Sequence, residues 1–224
     1  MSSNFHSDGT LFIISGPSGA GKTTLINEAS KQLGVIGIGL HFSVSHTTRQ
    51  PRAGEVDHIN YHFCTHDHFE QMVQHGEFIE HAWVHEQRYG TSKAEVVSKL
   101  EEGQDVILDI DYQGAKQIAE DADLKTRSLN VFIFPPSFEH LERRLRDRGL
   151  NSEIEIQTRL RKAIDEIDAS KEFYQYVIIN DDLKVATECL KAAIIAKKLQ
   201  TKTALDAISL MAERLKEERN GRTT

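Results

Sequence analysis

Short runs that are apolar at nearly every position punctuate the chain at residues 11–15, 106–110, 131–134 and 177–179, with a further strand expected at the alternating residues 42–45. A run without polar alternation is the pattern of a strand buried on both faces. Most of these runs are separated by stretches with apolar residues three and four apart, at residues 23–33, 93–102, 113–120, 138–148 and 153–174. Strands interleaved with helices predict βαβ units, hence an α/β fold with a mostly parallel sheet covered by helices on both faces. Ser152 followed by Glu155 predicts a capping box opening the long helix from residue 153. Residues 192–198 and 204–216 read as terminal helices, the second with a stripe of Leu205, Ile208, Ala212 and Leu215 that either packs on its own core or meets another subunit.

The pattern changes at residues 49–89, which are polar and irregular, with Pro51, Gly54 and Gly76 and with Gly90 just beyond. Alternation through Phe78, Ile79, Glu80, His81, Ala82, Trp83 and Val84 predicts small antiparallel strands, so this stretch reads as an insertion into the core. A chain of 224 residues is long enough to bury a sizeable core without staples. Its net charge of −7 argues against a general electrostatic grip on DNA or RNA, so any anion has to be held by local basic clusters. Cys64 and Cys189 belong to no C-x-x-C or ligand pattern, which fits reduced thiols and a cytoplasmic location. Neither an export signal nor a membrane span is expected. The eleven histidines show no H-E-x-x-H spacing and are expected to hold no metal.

Chemistry enters at Gly16, Pro17, Ser18, Gly19, Ala20, Gly21, Lys22 and Thr23, which fit G-x-x-x-x-G-K-[ST] between a predicted strand and a predicted helix. Glycines let successive N–H groups and the helix N-terminus turn toward one anionic group. Lys22 then reaches β and γ phosphates, and the Thr23 hydroxyl is offered to Mg²⁺. A second anion site is expected at residues 43–55, where Arg49 and Arg52 stand among hydroxyls at the end of a strand and Pro51 keeps the segment out of a helix. Asp109 and Asp111, two apart at the end of another predicted strand, point to one face where open α/β sheets bind ligands.

The order GPSGAGKT, SVSHTTRQPRAGE, EFIEHA, YGTS, LDIDYQGA, FPPS and NDDL, running from Gly16 to Leu183, resembles the guanylate kinases over residues 11–199. The resemblance implies a P-loop NTPase core at residues 1–44 and 92–199, a helical lid at about 135–160, a small mixed GMP-binding insertion at 45–91 and a helical extension at 200–224. It implies that ATP is held by residues 16–23, Arg148 and Asn180, the last as an adenine contact. GMP's phosphate would be held by Ser45, Arg49, Arg52, Tyr61 and Tyr89, and guanine by Glu80, Thr91 and Asp111. Asp109 would sit near the metal, acting through water. Glu80 also makes chemical sense, because guanine's N1–H and N2–H₂ are adjacent donors that one carboxylate accepts together, whereas adenine would leave it unpaired. Asn60 and Asp147 depart from the family's usual residues, the latter beside Arg148 and Gly149 in the lid.

The expected reaction is transfer of the ATP γ-phosphoryl group to GMP. The acceptor phosphate's second pKa lies near 6, so no general base is required. Lys22 and Mg²⁺ would clamp the donor, Arg49 would bridge to the transferring group, and Arg148 and Arg159, joined by Arg144, would close from the lid. A kinase of another phosphorylated acceptor, or a guanylate-kinase-like module that binds protein ligands, are the alternatives. Such modules typically lose the loop that is complete here. A GTPase switch would need an N-K-x-D motif, which the chain lacks.

Overall fold

The computed structural model describes residues 9–84, 86–147, 152–200, 209 and 212–213. Arg148 and most of the stripe expected at 204–216 lie outside the described residues. The frame is a sheet of five parallel strands in the order β2 (Leu40–Phe42), β7 (Asp105–Asp109), β1 (Leu11–Ser15), β8 (Ser128–Phe134) and β9 (Tyr176–Ile179). β1 is central and fully buried, which explains why its sequence does not alternate. Phe12 and Ile14 face one cluster with Leu25, Ile26 and Leu33 of α1 (Lys22–Val35) and Leu190 and Ile194 of α8 (Leu183–Lys198). Leu11 and Ile13 face the other, with Val96 and Leu100 of α3 (Lys93–Glu101) and Ile118 of α4 (Tyr112–Glu120).

A second, mixed sheet is built by β4 (His62–Phe63), β3 (His46–Thr47), β6 (Gln87–Ser92) and β5 (Phe78–Val84), in that order. The expected antiparallel pair is β5 with β6, while β3 and β4 run parallel. Its apolar support is small: Phe69 and Met72 from α2 (His66–Gln74) with Phe78, the two phenyl rings stacked at 4.5 Å. Helices α5 (Ala122–Arg127), α6 (Phe138–Asp147) and α7 (Glu153–Phe173) complete the described elements. The capping box at Ser152 forms as expected: Ser152 N–H donates to Glu155 Oε2 at 2.7 Å and Glu155 N–H to Ser152 Oγ at 3.3 Å.

Three expectations need correction. The strand expected at 42–45 is β2 at Leu40–Phe42, because pairing with β7 ends at Phe42 and the chain then leaves for the second sheet. The last core helix begins at Leu183 rather than 192, started by Asp182, whose side chain accepts Val185 N–H. α2 was not expected, since only Phe69 and Met72 of its nine residues are buried.

Because Phe12 is 0% exposed between packed neighbours, Phe12→Ala is expected to lower unfolding free energy by about 3–5 kcal/mol. Val177, 57% exposed on the edge strand, tolerates alanine within about 0.5 kcal/mol. Urea unfolding followed by circular dichroism checks both values.

Candidate active site

The C-terminal ends of β1 and β7 meet the second sheet across one open cleft. β1 delivers the chain into a loop in which glycine is required. Gly16 has φ +144°, and a Cβ there would stand 2.2 Å from Ile133 C=O; Gly21 has φ +87° and caps α1. The loop is braced from behind: the Ala20 carbonyl accepts from Asn180 Nδ2 at 2.7 Å and from Arg144 Nη1 at 3.3 Å. Lys22 Nζ donates to Gly16 C=O at 2.6 Å and lies 3.8 Å from Asp109 Oδ1, and Thr23 Oγ1 donates to Asp109 Oδ2 at 2.8 Å. Arg159 of α7 reaches the same loop through Nη1 to Ser18 Oγ at 2.7 Å. This wall combines helix N-terminal amides, a lysine and an arginine, a combination suited to a polyphosphate.

Ser45, Arg52, Tyr61 and Tyr89 line the opposite wall, and Glu80 and Asp111 line the same cleft. Arg49 stands just behind it. Its Nη1 and Nη2 donate to the two oxygens of Glu55 at 3.0 and 2.9 Å, and its Nε donates to Tyr89 OH at 3.2 Å. Burial works against the Arg49 charge, but these bonds outweigh it and raise its pKa. The Tyr61 phenol is pushed up by burial and by the neighbouring Tyr89 and Asp109, so it remains a neutral O–H donor. Thr91 is buried and works through Glu80, donating from Oγ1 to Oε1 at 2.5 Å. Asn180 is buried on the loop brace rather than on the cleft.

Glu80 owes its position to an irregularity. The β5–β6 register shifts between Phe78 and Glu80, and such a bulge re-aims a side chain. The carboxyl is 4% exposed, and burial pushes its pKa to about 7, with the Thr91 bond opposing and Asp111 adding to the rise. Asp111 caps α4: its Oδ1 accepts N–H from Gln113 and Gly114, both at 3.1 Å. Two residues that the sequence reading missed complete the floor. Lys162 Nζ lies 3.4 Å from Asp111 Oδ2 and 3.7 Å from Glu166 Oε1, and burial raises the pKa of Glu166 against Lys162 and Lys22. The available signal was the spacing of Arg159, Lys162 and Glu166 on α7, which puts all three on one helix face.

Comparison with known proteins agrees with this geometry. A family model described as guanylate kinase matches residues 8–197. The guanylate kinase of Pseudomonas fluorescens (strain Pf0-1) is 46% identical over 197 residues, 88% of this chain and 92% of that protein. That of Clostridioides difficile (strain 630) is 43% identical over 194 residues, 87% and 91% of the two chains. The crystal structure of guanylate kinase from Anaplasma phagocytophilum superposes with a TM-score of 0.71 at 29% identity, covering 87% of this chain and 89% of that one. The phosphate loop, the parallel sheet that carries it and the match across nearly all of the chain lead to one assignment: it belongs to the guanylate kinase family, P-loop enzymes that phosphorylate GMP using ATP.

Proposed function

We propose that the loop wall seats the ATP phosphates and the opposite wall seats GMP, with transfer between them. The observation that carries this reading is a single cleft lined on one side by the glycine loop with Lys22 and on the other by Ser45, Arg52, Tyr61 and Tyr89, with Glu80 and Asp111 in the same lining. Lys22, freed from its bond to Gly16, neutralises charge on the β and γ phosphates. Ser45, Arg52, Tyr61 and Tyr89 hold the acceptor phosphate by donated hydrogen bonds, and Arg49 joins them by leaving Glu55. Glu80, set by Thr91, and Asp111 read the guanine edge. The acceptor oxygen is already ionised, so the protein's work is alignment and charge neutralisation. Arg159 and the lid residue Arg148 close over the donor and keep water from the γ phosphate, while Arg144 braces the loop from behind.

Thr23 and Asp109 offer hard oxygen donors beside the loop, a set that suits Mg²⁺ shared with substrate phosphates. When bound, Mg²⁺ would neutralise phosphate charge. The division into a core, an insertion at 45–91 and a lid at about 135–160 fits this reading, as does a role in purine nucleotide recycling. Free Cys64 and Cys189 suit a reducing cytoplasm.

Lys22→Ala is expected to lower kcat by on the order of 10³ with an unchanged far-ultraviolet spectrum, and near-normal turnover would remove the loop from the mechanism. The ionised form of Glu80 is the one that accepts guanine's donors. GMP binding therefore strengthens as pH rises through about 7, and Kd at pH 6 should exceed Kd at pH 8 roughly tenfold beyond what Glu80→Gln shows. Titration calorimetry of both proteins reads this difference, and parallel pH profiles would refute it.

A further inference from the structure

β5 is the outer strand of the second sheet, so one of its edges has no strand partner among the described residues. α4 of the core occupies that edge. The Gln117 carboxamide pairs with His81 as a neighbouring strand would: Oε1 accepts His81 N–H at 3.1 Å and Nε2 donates to His81 C=O at 2.8 Å. One turn earlier, Gln113 Nε2 donates both to Trp83 C=O at 3.1 Å and to Asp111 Oδ2 at 2.9 Å, so one amide ties the strand to the helix-capping acid.

Between the glutamines stands Gly114. Its φ is not positive, so the backbone does not require glycine, and glycine inside a helix is unfavourable relative to alanine. Space is the reason for it. A Cβ at this position would lie 2.2 Å from Glu80 Oε2 and 2.8 Å from its carboxyl carbon. The N–H of the same residue donates to Asp111 Oδ1. Gly114 therefore touches both acids, and none of Gln113, Gly114 and Gln117 lines the cleft.

We propose that Gln113, Gly114 and Gln117 are positioning residues that fix the separation and depth of the Glu80 and Asp111 carboxylates, and with it the preference for guanine over other purine bases. This rests on the assignment of those two acids as the guanine readers. The glutamines hold the strand at a set distance from the helix, and the missing side chain leaves the gap that Glu80 fills. A methyl group in that gap displaces the carboxylate while leaving the loop wall untouched.

The test is steady-state kinetics of Gly114→Ala with GMP, IMP and AMP as acceptors and with ATP varied. KM for GMP is expected to rise about tenfold or more, and the preference for GMP over IMP, which lacks the N2 amine, to fall by a similar factor. KM for ATP should stay within about twofold, and in a Glu80→Ala background Gly114→Ala should change KM for GMP by less than about twofold. A change of KM for ATP in step with that for GMP, or an equal loss in the Glu80→Ala background, would reduce the glycine to general helix packing and overturn the proposal. An unaltered KM for GMP would overturn it as well. Should Gly114→Ala fail to fold, Gln117→Leu removes the strand-like pairing alone and is expected to give the same split between GMP and ATP, and its absence would refute the clamp. Wild-type protein that ignores GMP would overturn the underlying assignment, whereas a GMP-active wild type with an indifferent Gly114→Ala variant overturns only the clamp.

Discussion

Phosphoryl transfer between two nucleotides requires like charges to be held nose to nose, and the architecture is organised around that repulsion. A chain with a net charge of −7 has no general surplus of positive field, so the attraction has to be local. On the proposed reading one wall supplies it through main-chain amides, Lys22 and Arg159, and the other through Arg52 and the hydroxyls of Ser45, Tyr61 and Tyr89. The acidic groups are each tied to a local partner: Asp109 accepts from Thr23 at the end of β7, Glu80 from Thr91, and Asp111 from the first N–H groups of α4.

Burying Glu80 has a thermodynamic cost of its own. Its folded-state pKa of about 7 lies above the ordinary 4.5, so between those values the folded protein keeps a proton that the unfolded chain releases. Stability from this group is thus present in full below about pH 4.5 and is lost as pH rises through 7. Under the proposed role of Glu80, that loss is offset in function, because an ionised carboxylate in a dry pocket discriminates strongly among purine edges. Asp111 makes the problem harder, while Lys162 is spent on Asp111 itself, 3.4 Å away.

Legibility in the sequence followed the range over which each feature is specified. The phosphate loop is a local requirement, with each glycine demanded by a turn or a near neighbour, so eight contiguous residues announce it. The central strands were readable because burial on both faces removes all alternation, as in Leu11 to Ile14. The start of α8 at Leu183 was hidden because Asp182 is a cap rather than an apolar residue. Lys162 and Glu166 went unread within the predicted helix, since nothing in one sequence says that the face of α7 carrying them covers the cleft. Gln113 and Gln117 were silent for a similar reason: a side-chain amide bonded to another segment's backbone leaves no periodic trace. Residues 49–61 were read for their arginines, while the bonds that shape them, such as Asn60 Oδ1 accepting Val56 N–H, depend on geometry alone.

The pairing of Arg49 with Glu55 carries a consequence for the resting protein. A half-buried guanidinium left bare would recruit whatever small anion the surroundings provide, and Glu55 forestalls this by lending a tethered carboxylate that fills both prongs of the fork. Any incoming group must outcompete that internal substitute. Chloride and bicarbonate bring a single charge and gain little by the exchange, whereas a dianion with several oxygens can dislodge it, so the fork selects for multiply charged oxyanions.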